Sequence, residues 1–297
     1  MADEAASAPQ LTAGPAAAAA RRQRPRPVPE VRTILPASKR ERLRDLPAVM
    51  PAAWVLAQRD FKVLYKQSAL GPLWLAIQPL GILGAFTVVF SGVADIETSG
   101  VPYPLFALVG ISVWTFVSAC LATGTRCFTR SKRLVRLTNA PRSALAIAAV
   151  TSALPQLAVP VALTLAAVLA FGEGFGLELL ALPLVALWLY GLTLAVTLAL
   201  GALNVRFRDV SSFVPFLLQG GLFLSPIAYP LSEVPNGLDT VLKLNPITGV
   251  VEAWRWSILG SPADGLALAL AGAGTLVIAF ASWMIFVRLE VRFADVI

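Results

Sequence analysis

Six long stretches of this chain are almost empty of charge. No aspartate, glutamate, lysine or arginine occurs in Pro72–Val93, Leu105–Thr123, Ser143–Phe171, Ser212–Leu231 or Gly265–Val287, and Leu177–Leu203 holds only Glu178, at its edge. A bilayer core is crossed by about 20 apolar residues in a helix. Within hydrocarbon every backbone N–H and C=O must be satisfied inside the segment, which helices do by themselves. The expected fold is therefore all-α and integral to a membrane, with six transmembrane helices. Composition agrees, with 57% hydrophobic and 14% charged residues against about 25% charged in soluble domains.

Two of the six, the third and the fifth, carry more than one proline well inside them. Pro155 and Pro160 predict a kinked or tilted third span, because proline removes an intrahelical donor and clashes with the preceding turn. Pro215, Pro226 and Pro230 predict that the fifth unwinds near SPIAYP, Ser225 to Pro230.

The connectors set the orientation. Of 24 basic residues, twelve lie in 1–71 and six in the loop from Arg126 to Arg142, with Arg206, Arg208, Arg288 and Arg292 on the same side. Only Lys243 and Arg255 fall on the other side. Basic residues concentrate on cytoplasmic loops, so both termini are expected in the cytoplasm. The asymmetry also accounts for the net charge of +7 without nucleic acid as a partner.

Three segments lie outside the spans. Residues 1–45, with an alanine run and the proline-rich RRQRPRPVPE, read as a disordered cytoplasmic tail. Residues 46–71 read as an amphipathic interface helix, with Trp54, Ala57, Phe61, Leu64 and Ser68 on one face and Arg59, Lys62 and Lys66 on another. The permease domain would then occupy 72–297. Within 232–264, two short helix-length stretches flank Asn245–Pro246; they read as a re-entrant helix pair between spans 5 and 6, or as a hairpin lying on the surface.

Much chemistry is excluded. The chain has no histidine and no Gly-Lys dipeptide, so histidine-based catalysis and a phosphate-cradling Walker loop are both absent. The spans carry no buried acid of the kind that coordinates a transported ion. Cys120 and Cys127, if on one helix, sit roughly 10 Å apart along its axis, too far for a disulfide, and read as apolar fillers. A membrane protein with neither a nucleotide site nor an ion site is passive or is driven from outside. The loop TRCFTRSKRLVRLTNAPRSA, with Arg130, Lys132, Arg133 and Arg136 set among apolar residues, is the candidate surface for docking an ATPase. Plain orientation signal is the alternative reading of those cations.

Five segments carry a resemblance. RDFKVLYKQSALGPLWLAIQPL, VPYPLFALVGISVWTF, LNVRFRDV, LSPIAYPLSEVP and LNPITGVVEAWRWSILG resemble, in order and spacing, the membrane subunits of type-2 ABC exporters. Within these the chain looks like the permeases that export O-antigen, capsule and teichoic-acid polysaccharides. The resemblance covers roughly residues 50–290. The long N-terminal tail and the small-residue-rich third and sixth spans depart from it.

The resemblance implies a multi-pass protein of the bacterial inner membrane, not itself an enzyme. It implies a homodimer working with two nucleotide-binding ATPase subunits that hold the ATP and Mg; this chain needs no cofactor or metal. The substrate would be a polysaccharide on a polyprenyl-pyrophosphate lipid. Arg59, Lys62 and Lys66 would meet the lipid head group or membrane lipid, and the outer gate would comprise Asn245, Pro246, Trp254 and Trp256. Aromatic rings offer a sliding sugar flat apolar faces, and Phe86, Trp114, Phe116, Phe216 and Tyr229 are the candidates for the translocation path, alongside Phe90, Phe213 and Phe223. Packing or lipid contact is the alternative for each. The competing functions are ATP-driven export of a drug or small lipid, ion-coupled transport, and a membrane enzyme. The last would need clustered acids, and the outer connectors offer none.

Overall fold

Where apolar residues run uninterrupted the chain is helical, and glycine or proline marks most of the ends. The computed structural model describes residues 46–65, 69–92, 98, 100–137, 141–235, 237–291 and 293. The expected tail at 1–45 and Lys66 lie outside them, as does the side chain of Arg136. All regular structure among the described residues is helical.

The elements are α1 (Leu46–Tyr65), α2 (Trp74–Phe86), α3 (Tyr103–Gly124), α4 (Cys127–Arg130), α5 (Lys132–Leu137), α6 (Ser143–Ser152), α7 (Pro155–Ala170), α8 (Leu182–Arg206), α9 (Val210–Gly221), α10 (Leu238–Lys243), α11 (Pro246–Leu259) and α12 (Gly265–Glu290). A 3-10 turn at Gly71–Leu73 leads into α2, a π turn at Thr87–Ser91 ends it, and a 3-10 stretch at Leu177–Ala181 leads into α8. Five stretches are long and apolar enough to cross a membrane: Gly71–Ser91, Tyr103–Gly124, Ser143–Ala170, Leu177–Arg206 and Gly265–Glu290. The expected fifth span, Ser212–Leu231, is not one continuous helix. α9 has 12 residues, about 18 Å at 1.5 Å per residue, and residues 222–230 follow without regular helix. Pro226 and Pro230 supply the cause, since neither can donate to a continuing helical ladder.

α3 is the central helix. Seventeen of its 22 residues are buried, against four of 26 in α12, so α3 is enclosed by protein while α12 is peripheral. The third span is broken rather than bent: α6 stops at Ser152 and α7 starts at Pro155, with Ala153 N–H on the Val150 carbonyl (3.1 Å) and Leu154 N–H on Thr151 (3.2 Å) closing the turn between them. α8 packs along α12 and α3, and α11 against α12. Two polar pairs stitch spans together: Trp188 Nε1 donates to Thr275 Oγ1 at 2.9 Å, and the Thr151 and Tyr190 hydroxyls lie 2.9 Å apart.

α1 corrects one expectation. Of the face assigned from spacing, Ala57 is buried but Trp54 is 57% exposed. The face that meets protein is Val49, Ala53 and Ala57, set against Ala144 and Ala148 of α6. Small residues let two backbones approach closely, so the alanines take the contact. The bulky Trp54 is left at the rim, where an indole suits a membrane interface.

Candidate functional site

The basic loop is fixed to the helical body from beneath. α4 and α5 are too short to be stable alone, yet Phe128 of α4 is fully buried. Its ring lies 5.9 Å from that of Phe286 and 5.0 Å from that of Phe293. Arg142 caps this cluster, its guanidinium 5.8 Å from the Phe293 ring, and it donates to the Glu290 carbonyl. Asn204, 3% exposed at the end of α8, donates to Thr129 Oγ1 (3.4 Å) and accepts from Ser211 N–H (3.1 Å). One amide therefore joins the basic loop to the start of α9. On this anchored base Arg130, Lys132 and Arg133 are exposed, and among the described residues no carboxylate pairs with any of them. Cys127 lies beneath the loop. Burial pushes its thiol up to about 12, so it is a packing residue and not a reactive one. Neither cysteine is in a disulfide.

On α1, Arg59 is half given over to its neighbour: its guanidinium reaches Asp60 at 2.8 Å. Lys62 is exposed.

The aromatic candidates divide by surroundings. Phe86 is half-buried and begins a chain of rings through Phe90 (5.5 Å), Tyr103 (6.4 Å) and Phe106 (6.5 Å). Phe216 is 71% exposed beside Phe213, centroids 6.0 Å apart. Tyr229 is half-buried and donates its hydroxyl to the Phe223 carbonyl at 2.7 Å. Trp114 is buried, and Phe116 is sealed in the core around α3. Trp254 is buried while Trp256 sits at the border of exposure. A cleft between α2, α3 and α7 is lined by Trp74, Gln78, Thr115 and Gln156.

The segment 232–264 folds into α10 and α11, divided at Asn245 as its Asn-Pro pair implied. Asn245 caps α11, accepting from Ile247 N–H at 3.0 Å. Its amide nitrogen donates outward to the Leu224 carbonyl (3.2 Å) and Ser225 Oγ (3.0 Å). Pro246 follows at the first helical position. Lys243 reaches Asp239 at 3.2 Å and Asp264 at 2.8 Å. Asp264 also caps α12 through Leu266 N–H (2.8 Å) and Ala267 N–H (3.1 Å). Arg255 pairs with Glu252 at 3.2 Å, and both side chains are largely buried. Sequence reasoning counted Arg255 only as a charge on the outer side. The usable signal is an acid and a cation three residues apart, Glu252 and Arg255, inside an apolar run, which is a costly placement for both charges. Among the described residues no cluster of acids and cysteines could hold a metal.

The family profile for the ABC-2 type transporter matches residues 51–259, from inside α1 through the whole of α11. This chain belongs to the ABC-2 type transporter family. The match takes in the basic loop, the broken third span and the α10–α11 pair. Among relatives of this ABC-2 chain, an O-antigen export system permease protein from Myxococcus xanthus is 28% identical over 67% of this chain and 77% of its own length. A protein of the same name from Klebsiella pneumoniae is 22% identical over 82% of this chain and 93% of its own. The polysialic acid transport protein KpsM of Escherichia coli is 25% identical over 75% of this chain and 87% of its own.

Proposed function

We propose that this chain is the transmembrane subunit of an ATP-driven exporter that moves a lipid-linked polysaccharide, of O-antigen, capsule or teichoic-acid type, outward across the bacterial inner membrane. The observation that carries this is ABC-2 membership over 51–259 together with relatives named for O-antigen export and polysialic acid transport. The chain lacks a Walker loop, so hydrolysis falls to separate nucleotide-binding subunits that bind ATP and Mg. Two copies of this chain and two ATPase subunits would form the exporter.

Both termini lie in the cytoplasm in this reading. The pairing of charges supports it: Lys243 and Arg255, the two cations on the outer side, are each matched by carboxylates, while Arg130, Lys132 and Arg133 are left exposed. α9 and the unwound 222–231 together make the sixth crossing. α10 and α11 form the re-entrant pair, with Asn245, Pro246, Trp254 and Trp256 in the outer gate. The burial of α11 around most of its circumference between Thr248 and Ile258 favours this over a surface-lying hairpin. The exposed rings of Phe213, Phe216 and Phe223, with Phe86 and Tyr229, suit the sliding of a sugar chain. Arg130, Lys132 and Arg133, with Arg136, receive the ATPase; Arg59, Lys62 and Lys66 face lipid head groups.

The test is co-expression with a candidate ATPase subunit, purification, and ATP hydrolysis in lipid, with Arg130, Lys132 and Arg133 intact or changed together to glutamate. A stable complex that hydrolyses ATP and is lost on charge reversal supports the exporter and its docking face. Failure of any ATPase to co-purify overturns the proposed energy source.

A further inference from the structure

The stretch after α9 is irregular backbone inside a membrane protein, and its carbonyls are accounted for almost one by one. Phe223 C=O accepts from the Tyr229 hydroxyl (2.7 Å), Leu224 C=O from the Asn245 amide (3.2 Å) and Ser225 C=O from Ile227 N–H (2.7 Å). Ile227 C=O accepts from Arg255 Nη2 (2.9 Å), and Ala228 C=O from the Tyr103 hydroxyl (2.9 Å). Non-helical backbone at membrane depth survives only when so provided for. Ser225, Pro226, Ile227 and Ala228 are all buried. α3 is shaped to receive them: a Cβ on Gly110 would lie 2.6 Å from the Ile227 carbonyl oxygen, a distance no side chain tolerates.

Arg255 joins the three parts. It stands on α11, its guanidinium carbon lies 3.7 Å from the centre of the Phe106 ring of α3, one nitrogen meets Glu252 and another the Ile227 carbonyl. It is 2% exposed, and its Nε has no partner among the described residues. A buried ion pair is often no more stabilising than well-packed apolar side chains of similar volume. Its presence here therefore fits a role in fixing position better than a role in stability.

We propose that Arg255, seconded by Asn245 and Tyr103, is a positioning residue that holds the unwound segment 222–230 wedged between α3 and α11 as the closed outer seal of the transport route. The word "outer" rests on the orientation given under Proposed function. Opening the route then requires Ile227 to leave the guanidinium, so Arg255 sets the resting state of the seal without touching the transported chain.

The test uses the full-length chain with its ATPase subunit in liposomes loaded with a small sulfonated dye. Two variants are compared with the wild type. Arg255→Met combined with Glu252→Leu removes the clamp without stranding a charge. Arg255→Lys keeps a cation for Glu252 but cannot reach the carbonyl and the carboxylate with a planar fork. Both are expected to assemble with the ATPase and to release dye several-fold faster than wild type, a leak that a merely structural residue would not produce in correctly assembled protein. If either assembled variant retains dye like wild type, the seal is not held by Arg255 and the proposal falls. Polysaccharide movement by the wild type is followed in parallel. A tight wild type that moves no polysaccharide, beside leaking variants, would sink the proposed substrate and leave the clamp standing.

Discussion

At single positions the deciding quantity is the space beside a side chain. A Cβ on Gly249 would meet Ala271 Cβ at 2.3 Å and the Ala267 carbonyl oxygen at 2.6 Å, whereas one on Gly81 would meet nothing within 4 Å. Gly249→Ala should therefore destabilise the protein by about 1–3 kcal/mol through overpacking. Gly81→Ala should be neutral or stabilising by up to about 1 kcal/mol, through helix propensity. Thermal unfolding in detergent reads both. Charge gives a second contrast. Arg255→Met alone leaves Glu252 buried without a partner and should cost about 3–5 kcal/mol, while the same change with Glu252→Leu should cost far less. Equal losses for the single and double variants would show that the pair does not act as a unit. Glycines and lone cations are visible in a sequence, but their neighbours are not. Nothing in the string distinguishes Gly249, pressed on α12, from Gly81, and nothing in it sets Arg255 over Phe106.

At the scale of elements, a six-residue helix such as α10 has no independent stability and depends on what ties it down. The tie is Lys243, between Asp239 and Asp264. Hydrogen bonds from Gly237 N–H and from Lys243 hold Asp239 below its ordinary 3.8, and those from Lys243 and Ala267 N–H hold Asp264 below its own. Hydrogen bonds to the two carboxylates hold Lys243 above its ordinary 10.5. The signs agree. Groups with depressed values stabilise fully above 3.8 and lose that contribution as pH falls through the folded value. A raised lysine stabilises fully below 10.5 and loses its contribution as pH rises through its folded value. Hydrogen-exchange protection of the α10 amides should thus be level through the whole interval and collapse outside it. Asp264→Asn, which keeps the cap on α12 but removes the charge, should lower that level at neutral pH. A protection profile that bends near neutrality would rule the tie out. Element boundaries show what apolar patterning resolves. The unwinding near SPIAYP and the divide at Asn245 were readable, because proline and an Asn-Pro pair act on the backbone locally; at Pro155 the sequence implied a kink or tilt where the helix in fact breaks. The face of α1 was not, because helical spacing ranks residues by polarity while the contact with α6 selects them by size.

For the molecule as a whole, Arg130, Lys132 and Arg133 of the basic loop are exposed, and among the described residues no carboxylate pairs with them. Exposed charges attract over about 8–10 Å at physiological ionic strength and much less at 1 M salt. Recovery of the ATPase with this chain should therefore fall as salt rises. Charge-reversed Arg130, Lys132 and Arg133 should remove the salt dependence along with the binding, as read by co-purification across a salt series. A complex indifferent to salt would place the docking contact on apolar surface instead. The sequence alone determined that the chain is helical and membrane-bound, where its charged loops fall, and which chemistries it lacks. Those follow from composition and from the energetics of backbone in hydrocarbon, which act segment by segment. Only the tertiary structure decided that α3 is the enclosed centre, that Phe128 anchors the basic loop, and that the carbonyls of Phe223, Leu224, Ile227 and Ala228 are met by Tyr229, Asn245, Arg255 and Tyr103. Those partners lie as far as 125 residues apart in the chain. What joins them is packing between helices, a property of three-dimensional proximity that no local pattern carries.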